Sequence, residues 1–286
     1  MAARLRHICA IFPVLFLAPL AMASQAAVAD TPDPALIDRA LAAELQSAQD
    51  ALHPMRYLLR KSSPRFTTTK DIIETKDGAV ARLVAINDRP LSPADELKEQ
   101  TRLSGLLSDP GRQRHRKLSE DADTARALKV LRALPQAFLF EPAGSDPGPA
   151  GKIARFTFRP NPDFDPPDME TQVLTAMSGE IWIDVAQERV TRLEGHLRQD
   201  VDFGWGILGR LNKGGWLVIE QSNVGDHQWR ITHFQMAMTG RVLFKSRTFD
   251  TVEDETNFAP QSTGLTYAQA IELLRSHPRA AGHNQK

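Results

Sequence analysis

The chain has 286 residues, 42% of them hydrophobic, 24% charged and 7% aromatic. That globular mixture excludes a multi-span membrane protein and a disordered acidic tail. Its 35 Lys+Arg balance 35 Asp+Glu, so there is no basic excess to sheathe nucleic acid, and no nucleic-acid partner is expected.

Residues 1–23 carry Arg4 and Arg6, an apolar run from Ile8 to Leu20, and Ala21-Met22-Ala23 before Ser24. This is the pattern of a cleaved secretory signal, with cleavage expected after Ala23. The run, about 13 residues broken by Pro13 and Pro19, is shorter than the roughly 20 that cross a bilayer. Cys9, the single cysteine, lies inside the run, so the processed chain is expected to carry no thiol and no lipid anchor. Without residues 1–23 the balance is 33 cations to 35 acids, a net charge of about −2. A periplasmic or secreted location is expected, with no transmembrane anchor after cleavage.

The processed chain opens with Asp33-Pro34, a cap followed by proline in the first turn, and Leu36, Ile37, Ala40, Leu41, Leu45, Ala48 and Leu52 recur at helical spacing up to Pro54. From Met55 the residues become β-branched: Tyr57–Arg60, Arg65–Thr69 and Asp71–Glu74, then a turn at Lys76-Asp77-Gly78 and a strand from Ala79 to Ile86, which predicts a hairpin. Ser92-Pro93 caps a second helix with Leu97, Leu103, Leu106 and Leu107 on one stripe, stopped by Asp109-Pro110-Gly111. A third helix is expected from Asp123 to Leu134 with Pro135 as its stop. The Pro/Gly-rich stretch from Pro142 to Gly151 reads as a loop.

Beyond it the chain reads as β to about Pro260. Strands are expected over Ile153–Arg159, Val173–Asp184 with a bend at Gly179, Thr191–Phe203, Trp216–Val224, and one long strand from Trp229 through Phe249 bent near Gly240. Thr191–Phe203 is the clearest. Arg192, Glu194, His196, Arg198, Asp200 and Asp202 alternate with Leu193, Gly195, Leu197, Val201 and Phe203, which gives one wet face and one apolar face. A short helix over Tyr267–Leu274 and a loose tail from His277 close the chain. One-sided strands with few, separated helices predict an α+β domain over residues 24–260 with a helical insertion at 92–135, and a helix and tail over 261–286.

No motif predicts catalysis. Gly204-Trp205-Gly206-Ile207-Leu208-Gly209 matches a dinucleotide fingerprint by letter, yet Asn212-Lys213-Gly214-Gly215 leaves no room for the helix that pattern requires. Phe203 to Gly215 is instead expected to be a flexible loop displaying Phe203, Trp205, Ile207 and Leu208 beside Arg210 and Lys213, or else an apolar cap packed on the sheet end. Asp163, Asp165, Asp168 and Glu170 lack calcium-loop spacing. Arg112, Arg114, His115, Arg116 and Lys117 read as a solvated connector between helices. No histidine has metal-ligand spacing, although His196 and His233 are acid–base candidates in principle. Ser178-Gly179 lacks the glycine of a nucleophile elbow, since Ala176 stands there. No metal or cofactor is expected.

The stretch Gly179-Glu180-Ile181-Trp182-Ile183-Asp184, a turn, and Val190-Thr191-Arg192-Leu193-Glu194 is similar to a strand-turn-strand of the bacterial lipoprotein carrier and receptor (LolA/LolB-like) superfamily. That resemblance implies a half-open barrel of curved, largely antiparallel sheet with helices on its concave apolar face, a cavity for acyl chains, and no catalysis. The block from Met177 to Gly215 more closely resembles exported bacterial proteins without an assigned function. The helical, basic segment from Ser92 to Pro135 is large for the carrier family.

The leading expectation is an exported binding protein for a lipid, a lipoprotein acyl group or another apolar ligand. Leu193, Leu197, Val201 and Phe203 are its sheet candidates and Trp205, Ile207 and Leu208 its rim candidates, each buried methylene contributing about 0.8 kcal/mol. Two alternatives stay open: an envelope sensor or assembly factor that binds a protein partner, and a hydrolase built from spatially assembled carboxylates.

Overall fold

The computed structural model describes residues 31–49, 53–204, 208–243 and 245–279. The segment expected to be a signal therefore lies outside the described residues, as do Trp205 and Ile207. The element order is α1 (Ala35–Ala48), β1 (Met55–Ser62), β2 (Thr67–Ile73), β3 (Val80–Ile86), β4 (Arg89–Pro90), α2 (Pro93–Leu107), α3 (Pro110–Ala137), β5 (Phe138–Gly148) and β6 (Gly151–Pro160). There follow α4 (Met169–Gln172), a 3-10 turn at Val173–Ala176, β7 (Met177–Asp184), β8 (Arg189–Leu197), β9 (Val201–Phe203), β10 (Gly209–Leu211), β11 (Trp216–Asn223), β12 (Trp229–Val242), β13 (Lys245–Pro260) and α5 (Tyr267–Ser276).

All strands join one curved, antiparallel sheet in the order β4-β3-β2-β1-β13-β12-β11-β8-β7-β6-β5, with β10 bridging β12 and β9. The two end strands do not pair, so the sheet stays open, and the α+β expectation holds. Chain-distant β1 and β13 meet at its centre, from Met55 against Pro260 to Ser62 against Val252, with an irregularity between Arg56 and Leu58. Asn257, at φ 58°, is the extra residue on β13 there, and asparagine tolerates that left-handed conformation.

Following the registers across the sheet shows which side chains share a face. Phe156, Ile181, Leu193, Ile219 and Phe234 form one cross-strand row. Thr157, Glu180, Glu194, Val218 and Gln235 form a row on the other face, which continues through Val252 to Ser62. α1 lies on the first face: Leu36, Ile37, Ala40 and Leu41 are buried against Ala154, Phe156, Ile181, Ile183 and Val190. Burying each of its large side chains contributes roughly 1.5–3 kcal/mol. Asp33 receives the Ala35 N–H at 3.0 Å, and Glu44 accepts both Arg189 Nε and Nη2 at 2.9 Å, which fixes the helix to β8.

α2 and α5 pack on the opposite face. Leu103, Leu106, Tyr267, Ala270, Ile271 and Leu274 bury Ile73 and Val80, and by register Ile73 stands with Arg56 and Val80. The expectation that the helices share the apolar face therefore holds for α1 and not for α2 and α5. The reason lies in Ile72-Ile73, consecutive β2 residues that put an isoleucine on each face. Beneath α5, Asp71 is fully buried in a two-pronged pair with Arg56 (2.6 and 3.0 Å) and accepts the Arg279 N–H at 3.1 Å. Thr266 and Gln269 form a reciprocal cap at the start of α5.

Several sequence expectations need correction. The third helix begins at Pro110 and not Asp123, because Asp109 accepts the Arg112 N–H at 2.9 Å and so caps a new helix where the sequence was read only as a stop. The basic run from Arg112 to Lys117 thus lies within α3 and is no connector. Pro135 does not end the helix; α3 runs two residues further, to Ala137. The stretch from Pro142 to Gly151 is strand and turn, since β5 is an edge strand that tolerates Pro142 and Pro147, with an irregularity at Pro142/Ser145. Finally, Trp229–Phe249 is not one strand: Val242 pairs with Lys245, so the chain reverses between them and returns as β13.

α3 links the two faces. Near its middle, Glu120 accepts the Ala79 N–H at 3.1 Å at the end of the β2–β3 hairpin. Its last turns bring Val130, Ala133 and Leu134 onto a cluster of Phe138, Phe158, Leu174, Met177, Leu197, Val201 and Met238 on the α1 side. No described helix is long and apolar enough to cross a membrane.

Candidate apolar binding face

The α1-bearing face is filled over β5–β8 and changes character at β11 and β12. Leu193 sits in register with Ile219 and Phe234, and Gly195 with Leu217 and Met236. Leu193, Leu217, Ile219, Phe234 and Met236 are all half-buried. Leu193, Leu217 and Met236 lean on the edge of the Leu197–Val201–Met238 cluster, whereas Ile219 and Phe234 lie beyond it. The Phe234 row continues through Glu253 on β13 to Lys61 on β1, an ion pair at 2.5 Å. The next row places Glu255 beside Leu59. The face therefore grades from a packed core, through a half-covered apolar strip, to an acidic margin.

That margin is electrostatically strained. Burial, reinforced by the neighbouring Glu74 and Glu253 carboxylates and opposed by Arg230, pushes the Glu255 carboxyl up to about 7. Tyr57, stacked on Phe258 with ring centroids 5.3 Å apart, has its phenol pushed up by burial and then by Glu255 and Glu74. Glu74 is held by the Met55 N–H at 2.9 Å and lies 3.6 Å from Arg230. At the same end of β12, buried Trp229 carries the Arg189 guanidinium 5.4 Å above its ring, beside Glu44 of α1.

Across the sheet the opposite face is polar, as the alternation in β8 predicts. Arg192 pairs with Glu194 and Glu220 and lies 5.6 Å from the Trp182 ring. His233 Nδ1 lies 2.7 Å from Asp254 Oδ1 across β12 and β13. A carboxylate orients an imidazole in this way, but nucleophilic catalysis also needs a nucleophile at the other ring nitrogen, and among the described residues none bonds there. Ser178 instead accepts Arg198 Nε at 2.7 Å. Asp168 caps α4 through the Thr171 N–H at 3.0 Å and lies 3.3 Å from Lys129. Among the described residues no group of three His, Cys, Asp or Glu is placed to hold a metal.

The sheet and rim candidates separate in space. Leu197 and Val201 are buried inside the packed cluster, Leu193 and Phe203 stand at its margin, and Leu208 is exposed. The expected strand Thr191–Phe203 is interrupted at Arg198–Asp200, where Asp200 accepts the Lys213 N–H at 2.8 Å. The expected loop from Phe203 to Gly215 is largely a hairpin: β9 pairs with β10, Phe203 opposite Gly209, and β10 pairs with β12. Phe203 also reaches a shallow cavity of about 610 Å³ with Asp168, Met169 and Glu170. A second of about 620 Å³ shares Asp168 and is lined by Lys129, Arg132, Phe164 and Asp165 among others. Both lie open to solvent, whereas small-molecule pockets enclose most of their ligand's surface. Sequence reasoning missed Ile219, Phe234 and Met236, although the run Trp216–Ile219 and the alternation Phe234-Gln235-Met236 were visible signals.

No protein-family model and no curated protein matches the chain. Among solved structures, an outer membrane lipoprotein-sorting protein domain from Vibrio parahaemolyticus is similar at 13% identity and TM-score 0.31, covering 82% of this chain and 97% of that one. A DUF1329 family protein from Desulfovibrio piger is similar at 12% identity and TM-score 0.32, covering 84% and 98%. MucB in complex with MucA is similar at 10% identity and TM-score 0.20, covering 79% and 98%. Likeness at these scores carries no argument, and the open antiparallel sheet rests on its own strand order.

Proposed function

We propose that the protein is an exported envelope binding protein that holds the hydrocarbon chain of a lipid or a lipoprotein acyl group on its α1-bearing face, without catalysing a reaction. The observation that carries this reading is the half-covered strip Leu193, Leu217, Ile219, Phe234 and Met236, continuous with a packed core and left partly open to water. An acyl chain laid along it completes the burial that α1 and α3 begin, at about 0.8 kcal/mol per methylene. Phe203 extends the strip toward α4. The acidic margin at Glu253 and Glu255 sets the end at which a polar head faces water. Export is supported by the sequence of residues 1–23.

The test is binding of a fluorescent fatty acid, followed by its displacement with a triacylated lipopeptide. Ile219→Ser with Phe234→Ser is expected to weaken binding about tenfold or more, the loss of one to two kcal/mol of apolar contact. Leu197→Ala, a core change, is expected to lower stability and leave affinity per folded molecule unchanged. Equal affinity in the Ile219/Phe234 variant overturns the assignment.

A further inference from the structure

The β12–β13 hairpin runs past its neighbours. β11 pairs with β12 only as far as Ala237, and β1 meets β13 only from Val252 onward. The projecting part, Thr239–Val242 and Lys245–Asp250, is braced on one side by β10, and the Leu243 N–H donates to the Leu208 carbonyl at 3.0 Å. The two hairpins thus touch at Leu208 and Leu243, and the apolar side chains there are exposed: Leu208 is 49% exposed, Val242 49% and Leu243 53%, with Phe249, further down β13, 39% exposed.

Neither packing nor turn chemistry accounts for these residues. Leu243 has φ +52°, a left-handed conformation that a two-residue hairpin turn ordinarily fills with Asn or Gly. A leucine held there, half in water, carries a backbone cost with no burial to offset it in this chain alone, and such outliers cluster at functional surfaces. The register sorts the surroundings. Val242 faces Lys245, Gly240 faces Arg247 and Met238 faces Phe249, all on the α1-bearing side. Arg247 therefore stands two residue steps, about 7 Å, behind the Val242 tip. Lys245 and Arg247 have no ion pair among the described residues, and Asp250, at the base, is the single acid between positions 239 and 250.

We infer that this double tip docks on an anionic phospholipid bilayer. Apolar tip residues with Lys245 level with Val242, its long chain free to reach outward, and Arg247 about 7 Å behind match the layering of a membrane surface, where side chains enter the acyl boundary by about 5–10 Å and cations meet the phosphates. The charge is complementary to anionic headgroups, and the patch is separate from the strip that holds the acyl chain in the proposed function. Failure of one is therefore readable apart from the other.

The experiment is flotation of the full chain with vesicles of phosphatidylethanolamine and phosphatidylglycerol, and with vesicles of phosphatidylcholine, over a salt series. The protein is expected to float with the anionic vesicles, less so as salt rises, and to stay behind with phosphatidylcholine. Lys245→Gln with Arg247→Gln is expected to lower partitioning roughly twenty-five-fold, at about fivefold per cation. Val242→Ser with Leu243→Ser is expected to abolish it, with uptake of the fluorescent fatty acid unchanged in both variants. Absence of flotation, or flotation equal in wild type and both variants, overturns the inference. So does a concentration-dependent dimer that the same substitutions dissolve without any vesicle binding, which makes the tip a contact between copies.

Discussion

Replacing Glu255 by Gln tests the electrostatics of the candidate face through stability. The carboxyl is pushed from its ordinary 4.5 up to about 7 by burial and by Glu74 and Glu253. A raised folded-state value means that the folded protein binds this proton more tightly than the unfolded chain. The group accordingly costs nothing below about pH 4.5, costs progressively more as pH rises to 7, and imposes a constant penalty above that. A shift of this size corresponds to roughly 3 kcal/mol at most. Glu255→Gln removes the penalty while keeping the shape of the side chain. In thermal unfolding followed by circular dichroism, the variant is expected to melt several degrees above wild type at pH 8, at about 2–4 °C per kcal/mol for a chain of this size. The two are expected to converge near pH 4.5. A difference that does not vary with pH, or a variant less stable at pH 8, refutes the reasoning and means that Glu255 is held by a favourable partner.

Other substitutions probe the frame around the site. A Cβ on Gly179 would lie 1.8 Å from the Glu194 carbonyl oxygen and 3.0 Å from Phe158 Cζ, so Gly179→Ala is expected to lower the urea midpoint of unfolding by an amount comparable to core overpacking, about 1–3 kcal/mol or more. Asp71→Asn leaves the Arg56 guanidinium facing a neutral amide under α5, and a loss of about 3–5 kcal/mol is expected, measurable in the same titration. Because α5 covers that pair, proteolysis is expected to release the C-terminal helix first in the variant.

Much of the fold was written locally. The Asp33-Pro34 start of α1, the Ser92 cap, the short helix beginning at Tyr267 and the alternation of β8 each depend on residues close in sequence, and each appears where the pattern puts it. The misread elements are those where one local signal serves two purposes or where pairing is remote. Asp109-Pro110 both ends α2 and begins α3. Pro142 and Pro147 forbid a central strand, but β5 lies at an edge, which only the completed sheet defines. The turn after Val242 contains no Gly, Asn or Pro at Leu243, so nothing marked the reversal between β12 and β13. The site was less legible than the fold. Alternation in β8 separates Leu193 and Leu197 from Arg192 and His196, but it cannot say which of the apolar residues are covered. Val130, Ala133 and Leu134 of α3 cover the Leu197 end, and although the sequence marked them as helical, where that helix docks depends on remote packing. The acidic margin depends on β1 meeting β13, a contact spanning almost the whole chain.

The central claim is that the half-covered strip on the α1-bearing face holds an acyl chain. Native mass spectrometry of the protein purified gently from its host's envelope, with solvent extraction of whatever dissociates on activation, tests it most directly. The account predicts a stoichiometric adduct of lipid or acyl-peptide mass in the wild type that is lost or much reduced in the Ile219→Ser, Phe234→Ser variant and kept in Lys245→Gln, Arg247→Gln. A bare mass that persists after incubation with envelope lipids contradicts it.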